Sequence, residues 1–249
     1  MSLLAAFLAI AIGVTLGLLG GGGSILTVPA FVYALGVEPK AAIAMSLPVV
    51  GAAALLGAFQ HWRAGKVALR TALPLGASAM VGAYGGARLA RSLNGQVQLA
   101  LLAIVIIVAA VSMFRNARLD DATLASAAPS WPLLLAIGVG VGALTGTVGA
   151  GGGFMIVPAL VLVGRLPMGQ AVGTSLLVIA MNTAAAFVGY RGAADVQWRL
   201  VFWFGAFMAI GILAGSALID RVPARTLKRA FAVLLLAVGS LMLWQYATI

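Results

Sequence analysis

The sequence has no cysteine, a single histidine and few charges: 15 basic and 5 acidic side chains make up 8% of its 249 residues. The lack of cysteine excludes disulfides, thiolate metal sites and cysteine redox relays. A soluble domain carries about 25% charged residues. The shortage of charge, with 63% hydrophobic residues and a mean hydropathy of +1.14, therefore excludes a water-soluble enzyme.

Long apolar runs fill the space between the charges. The uncharged runs are residues 1–37, 41–62, 71–87, 92–114, 122–164, 166–190, 200–219 and 230–249. Most are close to the ~20 residues that a bilayer-spanning helix needs. The sequence therefore predicts an all-α, multi-pass membrane protein. The first run has no basic region ahead of it and is expected to be retained as a membrane segment.

The net charge of +10 would suggest a nucleic-acid partner in a soluble chain. Here the lysines and arginines stand singly or in small groups between apolar runs, which is typical of loops that contact anionic lipid headgroups. We therefore expect a lipid bilayer and no nucleic acid as partner.

Two of the apolar runs are too long for one helix. A run of 37 residues would reach about 55 Å at ~1.5 Å per residue, through a hydrocarbon core of about 30 Å. Glycines interrupt both runs, at Gly20–Gly23 and at Gly149–Gly153. Because consecutive glycines disfavour a helix and permit positive φ, each run is predicted to be two helical pieces joined by an unwound turn.

The two halves of the chain repeat each other at an offset of 129 residues. The glycine breaks, the Val-Pro-Ala tracts at 28–30 and 157–159, and Ser46 and Ser175 all correspond. This pattern predicts a first repeat over 1–114, a polar linker over 115–130 and a second repeat over 131–249. Each repeat should open with a glycine-broken helix, discontinuous or re-entrant, followed by three transmembrane helices.

The basic residues favour repeats of opposite orientation. If each repeat has an odd number of crossings, ten basic residues share one side and five the other, whereas an even number splits them eight to seven. The ten are Arg63, Lys66, Arg70, Arg115, Arg118, Arg165, Arg221, Arg225, Lys228 and Arg229. The positive-inside rule then predicts inverted repeats with both termini outside the cytoplasm.

The glycine breaks are the candidate binding region. Backbone that leaves the helix at membrane depth must be buried in protein or line a cavity, and the helices that restart after Gly23 and Gly152 present N–H groups that favour anions. The candidate substrate-binding residues are Gly22, Gly23, Ser24, Ser46, Gly151, Gly152, Gly153, Thr174, Ser175 and Asn182.

Plainer interpretations exist for several of these positions. Glycines also permit close helix packing, the role expected of the pairs Gly13/Gly17 and Gly82/Gly86. An intramembrane serine or threonine can simply bond to its own helix. Asn182 has no counterpart, since Ala53 stands at the equivalent position; it could bind substrate oxygens or bridge helices.

Arg63 and Arg191 lie at the edges of apolar runs, where they could attract an anion. The alternative for Arg63 is an interfacial side chain beside Trp62, as in other membrane-boundary belts. His61 could carry a proton or have no function at all.

Both halves resemble the sulfite exporter TauE/SafE family. The tracts that carry the resemblance are GLLGGGGSILTVPAFVYALG with AAIAMSLPV, and GALTGTVGAGGGFMIVPALVLVG with QAVGTSLLV. The resemblance implies a multi-pass plasma-membrane transporter that exports sulfite or an organosulfonate.

A secondary transporter working by alternating access is the expected function, because internal repeats with discontinuous helices are typical of such carriers. The alternatives are a passive anion channel or a carrier for a different small anion. No enzyme activity, cofactor or metal site is expected, because no P-loop, HExxH motif or membrane carboxylate pair is present. Coupling to H⁺ or Na⁺ and a homodimer remain open.

Overall fold

The computed structural model describes residues 3–21, 23–116, 130–149 and 151–218 and five residues between 233 and 240; for 109–116 and Phe154 it describes the backbone alone. Within these ranges the elements are α1 (Leu3–Leu19), α2 (Ser24–Pro29, continued by a π-helical turn, Ala30–Ala34), α3 (Pro39–Arg63), α4 (Leu69–Ala90), α5 (Gly95–Asn116), α6 (Trp131–Val148), α7 (Gly153–Leu162), α8 (Met168–Tyr190) and α9 (Trp198–Leu218).

Some sequence predictions fall on residues outside those ranges. They are Gly22 of the candidate site, linker residues 117–129, most of the chain after Leu218, and the basic residues Arg118, Arg221, Arg225, Lys228 and Arg229. The proposed division of basic residues between the two membrane sides therefore remains a prediction.

The described part of the chain is all-helical, and four of its helices are long and apolar enough to cross a bilayer: α3, α6, α8 and α9. Shorter apolar helices cover Leu3–Leu19, Ser24–Ala34 and Gly95–Val108. Exposed apolar side chains such as Phe202, with 68% of its surface accessible, cover the outside of these helices. This surface fits a multi-pass membrane protein.

Each overlong run is indeed two helices, as predicted. The first run contains α1 and α2, and the second contains α6 and α7. After each break the chain folds back on itself: Gly23 lies against the backbone of Ile12 and Leu16, and Gly152 lies against Thr145. The broken segments are therefore hairpins in which a long helix is followed by a shorter one that returns along it.

The corresponding helices α3 and α8 form an antiparallel pair at the centre. Gly51 of α3 lies against Thr183 of α8, whereas His61, ten residues further along α3, lies against Gly173, ten residues earlier on α8. Helix α3 starts sharply because Pro39 occupies its first position and the Glu38 carboxylate accepts a 3.0 Å hydrogen bond from the N–H of Ala41.

A close-packed seam joins α1 to α9. An added Cβ on Gly13 would overlap the carbonyl oxygen of Met208, and one on Gly17 would stand 2.5 Å from the carbonyl oxygen of Ile212. Because residue numbers rise together on both helices, α1 and α9 run parallel.

A second seam joins α6 to α4 in the same way. Gly142 and Gly146 lie against the carbonyl oxygens of Ala79 and Ala83. Both helices again run parallel. These residues are those of the first seam shifted by 129: 13 and 17 become 142 and 146, and 79 and 83 become 208 and 212.

The packing role predicted for Gly82 and Gly86 is confirmed, as it is for Gly13 and Gly17. An added Cβ on Gly82 or Gly86 would overlap the carbonyl oxygen of Val139 or Ala143 in α6. Small residues of this kind let membrane helices approach each other through their backbones, which gains van der Waals contact where no hydrophobic driving force separates protein from lipid.

Candidate functional site

The first half of each break ends a helix in the same manner. Gly20 has φ +69° and Gly149 has φ +73°, and their N–H groups donate to the carbonyls of Leu16 and Thr145, each at 2.8 Å. This left-handed conformation at a helix C-terminus is strained for any residue with a side chain. The leading glycine of each cluster is therefore required by the turn itself.

The second halves of the breaks differ. Gly151 and Gly152 also have positive φ, +66° and +76°, whereas Gly23 is right-handed helical at φ −67°. Ser24 replaces the glycine found at 153, and its Oγ donates to the carbonyl of Gly21 at 2.7 Å. The first break is thus bridged by a side chain, and the second relies on glycine alone.

The two breaks meet at the centre of the molecule. Gly21 lies so close to Gly153 that an added Cβ on either residue would overlap backbone atoms of the other. Gly151 lies against Ser24 and also touches Val50 of α3 and Ile179 of α8. The N-terminal ends of α2 and α7 are therefore brought together, and α3 and α8 lie against them.

Ser46 and Ser175 each connect one repeat to the break of the other. Ser46 Oγ lies 2.6 Å from the carbonyl oxygen of Gly149, and Ser175 Oγ lies 2.8 Å from that of Gly20. Each hydroxyl also lies 2.7 Å from the carbonyl three residues earlier in its own helix. A serine has one proton to donate, so in this conformation both hydroxyls hold backbone carbonyls.

Asn182 lies beside the second break and is 1% exposed. Its Nδ2 donates to Thr145 Oγ1 at 2.6 Å and points to the Gly151 carbonyl at 3.4 Å. Its Oδ1 is buried and has no hydrogen-bond partner among the described residues. Asn182 therefore bridges helices and also keeps a buried acceptor unsatisfied, which costs free energy unless something else donates to it.

Thr174 lies away from the breaks. Its Oγ1 accepts a 3.0 Å hydrogen bond from the N–H of Ala68, in the loop that leads into α4. The hydroxyl therefore fixes the start of α4, and sequence comparison of the halves could not show this because Met45 stands at the equivalent position.

The two candidate arginines are also far from the breaks. Arg63 ends α3 and Arg191 follows α8; both are exposed, and the antiparallel arrangement of α3 and α8 puts them at opposite ends of the pair. The guanidinium of Arg63 lies 5.9 Å from the ring centroid of Phe59. His61 is buried, with 2% exposure, against Gly173.

Sequence reasoning missed the carbonyls of Gly20 and Gly149 as partners of the two serines. The available signal was the shared offset, because Ser46 and Ser175 and the leading glycines all repeat at 129 residues. Nothing in the spacing showed that the contacts cross between halves.

The electrostatics of this region come from the backbone. The buried polar side chains among the described residues are neutral serine, threonine, asparagine, glutamine and histidine, with no aspartate, glutamate, lysine or arginine. Within the same residues no group of histidines or carboxylates could hold a metal ion. The helix N-termini after Gly23 and Gly152 therefore supply the positive potential.

Comparison with known proteins identifies relatives along the whole chain. The family model for the sulfite exporter TauE/SafE matches residues 5–242. A probable membrane transporter protein of Xylella fastidiosa (strain 9a5c) is 32% identical over 94% of this chain and 92% of its own length. The probable membrane transporter protein YdhB of Bacillus subtilis is 25% identical over 94% and 96%. No solved structure matches at comparable significance.

Proposed function

The chain belongs to the sulfite exporter TauE/SafE family and is a membrane transporter, and on that premise we propose that it exports a small oxyanion. The proposed substrate is sulfite or an organosulfonate, carried across the plasma membrane by alternating access. The observation that carries this proposal is the meeting of two helix N-termini at Gly21 and Gly153.

We further propose that residues 1–114 and 131–249 are inverted repeats joined by the linker 115–130. The antiparallel packing of the corresponding helices α3 and α8 supports this proposal. The two glycine seams support it too, since each runs between the first helix of one half and the fourth helical segment of the other. An axis in the membrane plane relates such repeats in many carriers, and their substrate sites lie at the repeat interface.

The anion is proposed to bind to the backbone N–H groups of the breaks. In the first turn of a helix these groups have no partner within the helix, and Gly153 and Phe154 occupy that turn of α7. The site would consist of Gly22, Gly23 and Ser24 on one side and Gly151, Gly152 and Gly153 on the other. Asn182 would contribute its amide group.

The two serines are proposed to orient the breaks. Each peptide here is trans, so a carbonyl and the following N–H point in opposite directions. Because Ser175 holds the carbonyl of Gly20, the N–H of Gly21 points away from Ser175. Exchange of the hydroxyl between this carbonyl and the anion would couple substrate binding to movement of the other repeat.

Charge balance favours a singly charged substrate. Each helix N-terminus is equivalent to about half a positive charge, so two of them offset one negative charge. A second negative charge would be buried without compensation, at a large desolvation cost. Hydrogen sulfite and simple sulfonates fit this condition, and Asn182 Oδ1 could accept the proton of hydrogen sulfite.

A carrier is favoured over an open channel because backbone atoms of Gly21 and Gly153 are in direct contact at the centre. No coupling ion is needed in the simplest mechanism. A membrane potential of 100 mV contributes about 2.3 kcal/mol per charge, and a negative interior drives anions outward. Arg191 is proposed to raise the local anion concentration at one surface; Arg63, which faces lipid with Phe59, is not part of this site.

Flux into and out of proteoliposomes tests the proposed function. We expect saturable transport of sulfite that follows an imposed membrane potential, with thiosulfate, sulfoacetate and chloride transported more slowly. Imposed Na⁺ and H⁺ gradients in separate arms would reveal a coupling ion. Non-saturable chloride flux would indicate a channel, and flux no greater than in protein-free liposomes would contradict the proposal.

A further inference from the structure

An apolar groove runs along the outer face of α3 and α8, on the side opposite the breaks. Its central part, of about 410 Å³, lies between Gly51 and Ala52 of α3 and Ala180 and Ala184 of α8. The breaks lie against other residues of the same helices, Ser46 and Ser175 among them. The groove is therefore separate from the proposed substrate site.

The groove continues toward the loop between α3 and α4. A second part, of about 190 Å³, shares Leu55 and Leu177 with the first and is lined further along by Phe59 and Trp62. From Leu47 to Trp62 the path follows 15 residues of α3, or about 22 Å at ~1.5 Å per residue. This exceeds half the thickness of a hydrocarbon core of about 30 Å, so an extended acyl chain fits its length.

Positive charge stands at the loop end of this groove. Arg63 places its guanidinium 5.9 Å from the ring centroid of Phe59, a lining residue. Lys66 and Arg70 flank Val67 and Leu69, which line the same end. No acidic residue occurs in the sequence between Glu38 and Asp120. An aromatic side chain such as Trp62 beside basic residues is typical of the headgroup level of a bilayer.

We propose that this groove binds one anionic phospholipid, with an acyl chain along α3 and α8 and the phosphate at Arg63. The apolar walls select a hydrocarbon chain, since the exposed lining offers almost no polar group. The guanidinium selects a phosphate because it can form two parallel charge-assisted hydrogen bonds to it. The proposal is independent of the substrate, and it concerns the lipid-facing surface.

Native mass spectrometry of the purified protein with added lipid tests this site. We expect phosphatidylglycerol to be retained about tenfold more strongly than phosphatidylcholine with the same acyl chains, and inorganic phosphate not to compete. Arg63→Gln should abolish the preference between the two headgroups. Arg191→Gln, a matched change at the end of α8, should leave it intact.

Filling the groove tests the acyl-chain part separately. Ala52→Phe should reduce retention of both lipids by about tenfold, whereas Ala77→Phe, at an exposed position of α4 outside the groove, should not. Thermal unfolding of all four variants shows whether each is folded. Equal retention of both lipids by the unchanged protein would overturn the proposal. So would a dimer that Ala52→Phe dissociates without loss of lipid, because a second copy would then occupy the groove.

Discussion

Replacing Gly153 by alanine is expected to reduce transport by about tenfold to hundredfold while the protein still folds. The new Cβ would overlap the backbone of Gly21 and the Cδ1 atom of Ile179. The isoleucine methyl can move, but the backbone of the other break cannot move without separating the two helix N-termini. Overpacking of this kind costs about 1–3 kcal/mol, and each 1.4 kcal/mol is a factor of ten.

The matched control is Gly140→Ala, on α6 of the same half. Nothing lies within 4 Å of a Cβ added there, and alanine favours a helix over glycine by about 1 kcal/mol. Initial rates of sulfite uptake in proteoliposomes and thermal unfolding should be measured for both variants. Normal transport by Gly153→Ala would show that close contact between the breaks is not needed for function.

The double change Ser46→Ala and Ser175→Ala is expected to reduce transport by about a hundredfold. Each hydroxyl holds the carbonyl of a glycine in the opposite break. A buried carbonyl left without a donor costs about 1–3 kcal/mol, so each serine alone should account for about a tenfold loss. The two losses should multiply if the serines act on separate breaks.

Ser78→Ala provides the comparison for this pair. Its hydroxyl makes a 2.9 Å bond to the carbonyl of Leu75, three residues earlier in α4, and is partly buried. It thus shares the bond that each site serine makes within its own helix, without the contact between halves. We expect little change in transport for this variant. Unchanged flux and unchanged affinity in the double variant would exclude the proposed site.

The helix breaks could be predicted because their cause is local. Four consecutive glycines, or glycines on both sides of Ala150, disfavour a helix wherever they occur. The run of 37 residues is too long for one span regardless of its surroundings. The structure confirms both breaks, at Gly20 and Gly149, where positive φ ends the preceding helix.

The packing glycines could also be predicted from their spacing. Gly82 and Gly86 stand one turn apart on one face of α4, and such pairs are typical of close helix contacts. Their partners could not be predicted, since periodicity shows which face of a helix is small and not which helix covers it. That α4 packs on α6, and α1 on α9, is visible in the structure alone.

The polar contacts of the candidate site were beyond the sequence for the same reason. Ser46 and Gly149 are 103 residues apart, and Thr174 and Ala68 are 106 apart. Repetition at 129 residues made both serines stand out, but a hydroxyl that holds a carbonyl and one that binds an anion look the same in a sequence. Thr174 differs because its bond to the α3–α4 loop has no equivalent in the first half.

The central claim is that a singly charged oxyanion binds where the two breaks meet. Uptake of sulfite by proteoliposomes tests it most directly, measured relative to methanesulfonate from mildly acidic to mildly alkaline pH after subtraction of leakage in protein-free liposomes. Hydrogen sulfite loses its proton across this range, whereas methanesulfonate keeps one negative charge. The sulfite-to-methanesulfonate ratio should fall with the fraction of hydrogen sulfite, and sulfate should be excluded throughout. A ratio that rises with pH, or sulfate transport as fast as that of methanesulfonate, would contradict the claim.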